Sequence, residues 1–247
     1  MEARNLQSAR ANLVRNRLLQ ELSLSDLQSV LTLLEPVPLR QRQILHHWNT
    51  GMRWVYFIEK GLVSVEAKTD RSETFETWTV GSEGMTGIPV VLGGDHVPPH
   101  RRVVRVDGSA LQMSAQQLRD KMEQLPLFRD ILLRYAQFVL LQTSQIGICN
   151  AHHSLQQRLS RWLLAAADGL AADRLPLTHQ AISKLLGVRR ASVTDCLAAL
   201  ERSGAIEHGR GMIHILDGES LQKASCGCHR LLRGHYRRLV MRTSNSV

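Results

Sequence analysis

The stretch that decides the fold is residues 178–216, THQAISKLLGVRRASVTDCLAALERSGAIEHGRGMIHIL. Thr178 is a typical helix N-cap, and apolar residues follow it at helical spacing as far as Gly187, which predicts a helix and a tight turn. A second helix is predicted over residues 190–202, since apolar residues recur there and a glycine follows. Residues 206–215 then predict two short strands joined by a Gly-Arg-Gly tip. Together these elements form the pattern of a winged helix.

The outward side of the second predicted helix carries side chains that suit DNA. In such motifs this helix enters the major groove, where arginine can bond guanine twice and aspartate can accept from a cytosine amino group. Arg210 on the hairpin tip is placed to hold the phosphate backbone. The candidate DNA-binding residues are Thr178, His179, Arg189, Arg190, Ala191, Ser192, Thr194, Asp195 and Arg210. The alternative is a generic helical hairpin with a solvated arginine pair.

The net charge of +9 is unevenly divided along the 247 residues. Residues 151–247 hold 14 basic and 7 acidic side chains, whereas residues 1–150 hold 17 and 15. Such asymmetry indicates that one half faces a polyanion. The alternative is a solvated basic tail. That tail would contain Arg230, Arg233, Arg237 and Arg238.

The N-terminal half changes from helices to short strands. Leucines at helical spacing predict two helices before Pro36 and Pro38, which end the second one. Two β-rich runs over residues 54–58 and 62–66 flank a Glu-Lys-Gly connection and predict a hairpin. The other predicted elements are a strand over 75–80, a Gly-rich turn over 81–87, and strands over 103–106 and 110–113 around Asp107-Gly108. Many short strands with glycine turns favour a small antiparallel barrel or jelly roll.

A long helix is predicted from Pro126 to about Cys149. It carries an apolar stripe close to a heptad pattern, formed by Phe128, Ile131, Leu132, Tyr135, Phe138, Val139, Gln142 and Ile146. Such a stripe either lies on the barrel or forms a coiled-coil seam between two chains. A break at residues 150–153 and a further helix over 154–167 place a domain boundary near residue 150.

These features together make the chain resemble the Crp/Fnr-type transcription regulators, the family of the cyclic-AMP receptor protein. The resemblance covers nearly the whole chain and is strongest at residues 55–63 (VYFIEKGLV), 81–87, the long helix and 178–215. It implies an α+β fold with an N-terminal cyclic-nucleotide-binding-like β-roll (jelly roll), a long dimerisation helix and a C-terminal winged helix-turn-helix. The implied domains are residues 1–125 for the β-roll sensor, 126–150 for the dimerisation helix, 151–225 for the winged helix-turn-helix and 226–247 for a basic tail. Dimerisation in the family favours a seam for the apolar stripe.

The resemblance also assigns roles to single residues. Arg190 stands where the family places a base-reading arginine, whereas Ala191 and Asp195 replace the glutamate and second arginine of that pattern. The expected target sequence therefore differs from the familiar one.

The effector pocket that the resemblance implies is degenerate. The Gly-Glu pair that binds ribose corresponds to Gly87-Ile88, and isoleucine cannot accept a hydrogen bond. The Arg-Ser pair for the cyclic phosphate falls near His100-Arg101, with Arg102 adjacent. We therefore expect no cyclic nucleotide as cofactor, and Arg101 and Arg102 remain candidates for another anion. The pocket candidates are Gly87, Ile88, His100, Arg101 and Arg102.

Four cysteines, at positions 149, 196, 226 and 228, are too few for a disulfide framework. No iron–sulfur cluster is expected, because none of them precedes Cys149. The run Cys226-Gly227-Cys228-His229 offers soft ligands, but zinc normally draws on a second pair elsewhere in the chain. A surface cysteine pair in the tail is therefore favoured, His46-His47 are expected to be surface histidines, and no metal is expected.

Several classes of protein are excluded by what the sequence lacks. No apolar run approaches the roughly 18–20 residues that span a bilayer, and the first residues contain no secretory signal. A cytoplasmic protein without membrane contact is expected. The sequence shows no Ser-His-Asp arrangement, phosphate loop or paired catalytic carboxylates, so an enzyme is not expected.

The function that follows is sequence-specific DNA-binding transcription regulation. We expect a homodimer on double-stranded DNA, with a palindromic operator whose half-sites lie about one helical turn apart. Its effector is unknown, and RNA polymerase is a candidate partner. The alternative is an effector-binding signalling protein that acts through a protein partner, with the winged helix as an interaction surface. A steep salt dependence of DNA binding distinguishes the two, because phosphate contacts release counterions.

Overall fold

The computed structural model describes residues 13–94 and 97–241. Its helices are α1 (Arg17–Gln20), α2 (Leu24–Leu31), α3 (Ile88–Val91), α4 (Ala115–Gln124), α5 (Pro126–His152), α6 (Leu155–Leu170), α7 (His179–Leu186), α8 (Arg190–Arg202), α9 (Gly218–Ala224) and α10 (Cys228–Leu239). Its strands are β1 (Glu35–Leu39), β2 (Ile44–His46), β3 (Trp54–Lys68), β4 (Thr74–Val80), β5 (Met85–Thr86), β6 (Arg101–Ser114), β7 (Arg174–Leu175), β8 (Ile206–Gly209) and β9 (Met212–Ile215). The predicted order of β-roll, long helix and winged helix is confirmed.

Six antiparallel strands form the β-roll. The main path runs β1-β6-β3-β4, while β2 pairs with β6 and β5 pairs with β3. Because side chains alternate along a strand, β3 contributes to two cores. Val55 and Phe57 pack with the helices, whereas Ile58 and Val63 pack with Val104 inside the roll.

Strands β3 and β6 are each continuous, so the predicted hairpin over residues 54–66 and the predicted break at Asp107-Gly108 are wrong. The two strands pair with each other through register shifts around Lys60. Gly61 has a φ of +93°, and a Cβ on Gly108 would lie 2.1 Å from the Lys60 carbonyl oxygen. The glycines therefore let two bulged strands approach and bend together, and they do not reverse the chain.

The prolines that were predicted to end the second helix lie in strand β1. Helix α2 begins at its N-cap Ser23, whose side chain accepts from the Asp26 amide, and it ends at Leu31. Pro36 and Pro38 pair with β6 at the edge of the sheet. Proline is tolerated there because an edge strand leaves amide positions unpaired.

The long helix α5 begins with Pro126 at its first turn and has no internal glycine before Gly147. The predicted stripe faces its own chain: Phe128, Ile131, Leu132, Tyr135, Phe138 and Val139 are buried, and Gln142 and Ile146 are part-buried beside β4. The assignment of the six buried residues to a dimer seam is therefore wrong. An amphipathic helix buries its apolar face on the nearest core, which here is the β-roll.

The winged-helix domain follows a break after α5. Ser154 caps α6 in a reciprocal capping box with Gln157, and the two helices α7 and α8 pack over α6. Strands β8 and β9 form the predicted hairpin. The two-residue strand β7, which the sequence did not indicate, pairs with β9 and extends the wing to three strands.

Residues 226–247 were predicted to form a basic tail, but the described part of this segment contains helix α10, which packs on α5. Leu232 and Tyr236 are buried, and the Tyr236 ring meets the Phe138 ring edge-on at 5.1 Å. The Tyr236 hydroxyl donates to the Glu83 carbonyl at 2.7 Å. The helix therefore contributes to the β-roll core while its arginines face outward.

The winged-helix domain is docked on the β-roll by polar contacts. The Trp162 indole N–H donates to a Glu76 carboxylate oxygen at 2.7 Å, and the Ser82 amide donates to the Gly169 carbonyl at 2.9 Å. Gly81 and Gly169 approach so closely that a Cβ on Gly81 would lie 2.5 Å from the Gly169 backbone.

Within the described residues, no helix combines the length and the apolar character needed to cross a bilayer.

Candidate nucleic-acid interface

The turn between α7 and α8 sets the direction of the second helix. Gly187 adopts a left-handed conformation, with φ +66° and ψ 40°, and its amide donates to the Ser183 carbonyl. Val193, Leu197 and Leu200 then bury one side of α8 in the domain core. The opposite side faces solvent, and its exposed residues are Arg189, Arg190, Ala191, Thr194 and Asp195. The structure thus brings most of the predicted DNA-binding residues onto one surface.

The beginning of α7 contacts this surface. Thr178 caps α7 by accepting from the Ala181 amide at 3.1 Å. His179 Nδ1 lies 2.9 Å from Thr194 Oγ1, and the His179 ring lies 5.0 Å from the His208 ring. These contacts join α7, α8 and the wing, so the candidate residues belong to one continuous face.

Arg210 stands at the tip of the wing. It has a φ of +49°, and the following Gly211 has a φ of +77°, which is the geometry of a tight two-residue hairpin turn. A Glu201 carboxylate oxygen accepts from the His208 amide at 3.1 Å, which ties the wing to the end of α8. Arg210 is exposed.

Arg174 is an exposed cation that the sequence analysis missed. It lies on β7, beside His214 of the wing. A two-residue strand has no periodicity to recognise, so only the pairing with β9 reveals that this arginine belongs to the wing.

Arg101, one of the pocket candidates, is bound within the β-roll. Its guanidinium donates twice to one Glu66 oxygen, at 2.9 and 2.7 Å, and lies 4.9 Å from the centre of the Trp48 ring. Arg105 contacts the other oxygen of the same carboxylate. The charge of Arg101 is therefore already paired.

Arg102 has different surroundings. It is 2% exposed and donates to the His100 carbonyl at 2.7 Å, and no salt bridge joins it to an acid within residues 13–94 and 97–241. Burial lowers its pKa to about 10. Burial, followed by the charge of Arg102, lowers the pKa of nearby His46 to about 3. The interior of the roll thus holds the Arg102 cation beside the neutral imidazole of His46. His46 is 6% exposed, so the prediction that it lies on the surface is wrong.

Gly87-Ile88 provides no polar group to this interior. Gly87 has a φ of +117°, and a Cβ on it would lie 2.5 Å from a Val55 methyl carbon. Ile88 begins α3 and packs against the apolar core. The residues that would hold a ribose are therefore committed to packing.

A cavity of about 290 Å³ lies between the β-roll, α5, α6 and α10. Its charged lining consists of Arg17, Glu83, Arg161, Asp168, Arg233 and Arg237, together with His229. His229 Nε2 lies 2.9 Å from a carboxylate oxygen of Asp168. Burial raises the pKa of the Glu83 carboxyl. These residues come from distant parts of the sequence, so no local motif indicates the cavity.

The cysteine pair of the C-terminal segment is buried, and the prediction of a surface pair is wrong. Cys226 and Cys228 are 3% and 5% exposed, and they meet Cys149 and His153 at the end of α5. The ligand atoms of all four residues lie within 4.8 Å of one another. This is the one group of three or more such side chains suited to a metal within the part of the chain that the structure describes.

Comparisons with known proteins agree with this architecture. Residues 157–224 match the family described as the Crp-like helix-turn-helix domain. The chain is 26% identical over 161 residues to the global nitrogen regulator of a Nostoc species, covering 62% of this chain and 72% of that protein. The global nitrogen regulator of a Synechocystis species is 25% identical over the same length, covering 62% and 71%.

Solved structures share the fold at lower identity. FixK2 from Bradyrhizobium japonicum has a TM-score of 0.67 at 15% identity, covering 78% of this chain and 98% of that one. A Crp/Fnr-family regulator from Eubacterium rectale has a TM-score of 0.62 at 16% identity, covering 84% and 96%.

A winged helix with an exposed arginine-bearing second helix, joined to a β-roll, defines a DNA-binding transcription regulator. Residues 157–224 match the Crp-like helix-turn-helix domain, and the chain is similar in fold to regulators of the Crp/Fnr family. The prediction of DNA-binding transcription regulation is thereby confirmed.

Proposed function

We propose that the protein acts as a homodimer that binds a two-fold palindromic operator. The observation that carries this proposal is a second row of residues on α5, on the side away from the β-roll. It consists of Leu133, Gln137, Leu140, Ser144 and Gly147, all exposed in the single chain and spaced alternately by four and three residues. That spacing is the a/d pattern of a two-stranded coiled coil.

The apolar side chains of this row are exposed to water, which is unfavourable. Leu133 is 38% exposed and Leu140 is 62% exposed, and Ile148, which follows the row directly, is 52% exposed. Pairing two copies of α5 through this row would bury the two leucines. The short side chain of Ser144 and the absence of one at Gly147 would let the two helices approach closely at the C-terminal end of α5.

Gln137 is a long polar residue within the row, between the two leucines. A polar side chain at a seam position lowers the stability of a coiled coil but favours one register and one number of chains. In a symmetric pair, the Gln137 amides of the two chains would face each other and could exchange hydrogen bonds. We name Leu133, Gln137, Leu140, Ser144 and Gly147 the α5 seam.

Each α8 of such a dimer would enter one of two successive major grooves. Arg190 is the candidate base-reading residue, with Arg189, Ser192, Thr194 and Asp195 as its neighbours. Arg210 on the wing would contact phosphates outside the half-site. Two-fold symmetry of the protein then requires half-sites about 10 base pairs apart, centre to centre.

The proposed effector is not a cyclic nucleotide. Ile88 has no acceptor for a ribose hydroxyl, and Arg101 is paired with Glu66. Arg102 still offers a buried positive charge, so a ligand of the roll interior would be a small anion. In a thermal-shift assay we expect no stabilisation by cyclic AMP or cyclic GMP. A shift with either would overturn this part of the proposal. RNA polymerase stays a candidate partner for the DNA-bound dimer.

The experiment that tests the dimer and its operator together is selection from a random duplex pool with purified protein and no added effector. We expect an enriched palindrome with half-sites one helical turn apart. Enrichment of a single asymmetric half-site would contradict the dimeric arrangement, and no enrichment by a folded dimer would show that an effector is required.

A further inference from the structure

Four side chains from two distant segments meet beside the junction of the long helix and the winged-helix domain. Cys149 and His153 lie one turn apart at the end of α5, and Cys226 and Cys228 lie where α9 gives way to α10. The sulfur atoms of Cys149 and Cys226 are 3.5 Å apart, and the Cys228 sulfur is 3.7 Å from His153 Nδ1. The potential ligand atoms therefore form a compact group.

The dimensions of the group fit one small cation. With Zn–S bonds of about 2.3 Å, two thiolates of a tetrahedral site lie about 3.7 Å apart. The Cys149–Cys226 sulfur separation of 3.5 Å is close to that edge, the Cys228 sulfur lies 3.7 Å from His153 Nδ1, and no pair of potential ligand atoms exceeds 4.8 Å. A four-iron cluster binds each thiolate through a different iron and so spaces its ligands more widely.

The histidine of the group is not the one that the sequence suggests. His229 follows Cys228 directly, but its Nε2 lies 2.9 Å from Asp168 and its Nδ1 lies 2.9 Å from Gln222. His153 has neither of these contacts and turns Nδ1 toward Cys228. The chain thus supplies the second ligand pair that a zinc site draws on.

The surroundings also suit thiolates. The Gln145 side-chain amide donates to the Cys228 sulfur at 3.1 Å. Such a donor to a sulfur ligand stabilises its negative charge, as outer contacts of metal sites do. The three sulfurs are buried, whereas Cys196, the remaining cysteine, lies on α8 away from the group.

We propose that Cys149, His153, Cys226 and Cys228 bind a single Zn²⁺ in a closed Cys₃His site. Four protein ligands leave no open position, which is the arrangement of a structural and not a catalytic zinc. The ion would fasten the beginning of α10 to the end of α5. Leu232 and Tyr236 of α10 belong to the β-roll core. The ion would therefore also stabilise the packing of α10 on that core.

Metal content tests the proposal directly. Wild-type protein, loaded with Zn²⁺ under reducing conditions and passed through a desalting column, should retain one Zn²⁺ per chain by elemental analysis. Cys226→Ser and His153→Ala should lose it. Cys196→Ser and His152→Ala, which change the same residue types outside the group, should keep it. Retention of a full equivalent by Cys226→Ser, or its absence from the wild type, would overturn the proposal.

Two measurements on the wild-type protein remain decisive even where a variant does not fold. Co²⁺ replacing Zn²⁺ should give the intense visible absorption of a tetrahedral thiolate site, saturating at one equivalent. Zn²⁺ should protect three of the four cysteines from alkylation and leave Cys196 reactive. A Cys149–Cys226 disulfide in protein that takes up no metal, or iron with sulfide in place of zinc, would contradict the assignment.

The zinc site is proposed independently of DNA binding, and only a role for it in DNA binding would rest on the proposed function. Metal content is therefore measured without DNA, so a protein that holds zinc but binds no operator would separate the failure of one proposal from the other.

Discussion

His179 and Thr194 join the two helices of the DNA-binding motif, with His179 Nδ1 2.9 Å from Thr194 Oγ1. The Thr194 hydroxyl donates its proton to the Arg190 carbonyl at 3.1 Å, so it accepts from a protonated Nδ1. Burial, followed by the charges of His208 and Arg190, lowers the pKa of His179 and keeps the imidazole neutral at pH 7. The first turn of α8 is therefore held in position before any contact with DNA.

Arg190→Ala should weaken binding to the selected duplex by about 1–3 kcal/mol for each half-site, or about 5- to 150-fold per half-site, because a guanine in each would lose its bidentate partner. Specificity at that base pair should relax. Arg202→Ala removes the same charge from the far end of α8 and should change affinity far less. Equal losses for the two variants in an anisotropy titration would show that Arg190 acts only through its charge.

Arg210→Ala should lower affinity for all duplexes to a similar extent, because a phosphate contact carries no sequence information. The slope of log affinity against log salt should fall by about one unit per chain. Anisotropy titrations at several salt concentrations measure this slope. An unchanged slope would remove Arg210 from the backbone contacts.

Leu140→Asp should convert the dimer to a monomer, because it places two carboxylates at the centre of the α5 seam. Sedimentation velocity at micromolar concentration measures the change. Leu92→Asp is the matched control, since Leu92 is 54% exposed at the end of α3 and is not a residue of the α5 seam. A Leu140→Asp protein that remains dimeric would place the interface elsewhere.

His46 should make the folded state sensitive to acid. Its pKa is about 3 in the folded protein and 6.5 when unfolded, so between these values only the unfolded state binds the proton. Stability is unaffected above pH 7 and falls as the pH decreases, by about 2 kcal/mol between pH 7 and pH 5. Urea unfolding of wild type and His46→Gln at both pH values isolates this contribution. Parallel losses in the two proteins would refute it.

Two glycine-to-alanine changes should have opposite effects on stability. Gly108→Ala would place a Cβ 2.1 Å from the Lys60 carbonyl oxygen, and we expect a loss of about 2 kcal/mol or more. Gly234→Ala lies within α10 with nothing within 4 Å of the new Cβ, and should gain about 0.5–1 kcal/mol. Thermal or urea unfolding measures both. Little change for Gly108→Ala would mean that the two strands can separate at the bend.

The winged helix could be predicted because its signals are local. Thr178 as N-cap, Gly187 as left-handed cap and the Gly-Arg-Gly tip each act within a few residues, and α8 has the predicted bounds. The bulge at Gly61 could not be predicted in the same way. A glycine of positive φ serves a hairpin or a bulge equally well, and only pairing with β6 decides between them.

The two faces of α5 show why periodicity alone could not predict which side of the helix packs on the β-roll. The helix has two rows at near-heptad spacing, a predominantly apolar one that includes Phe138 and a mixed one that includes Leu140 and Gln137. Which row faces the β-roll depends on the shape of a sheet formed by distant residues, between Glu35 and Ser114. The cysteine group has the same origin, since Cys149 and Cys226 are 77 positions apart. Tertiary packing creates both features.

The most direct test of dimeric binding to DNA compares the selected duplex with one in which a single half-site is scrambled. We expect the intact palindrome to bind two chains, and the scrambled duplex to bind at least about a hundredfold more weakly, since several base pairs in one groove would be mismatched. Equal affinity for the two duplexes, with one chain bound to each, would contradict binding as a dimer to a palindromic operator.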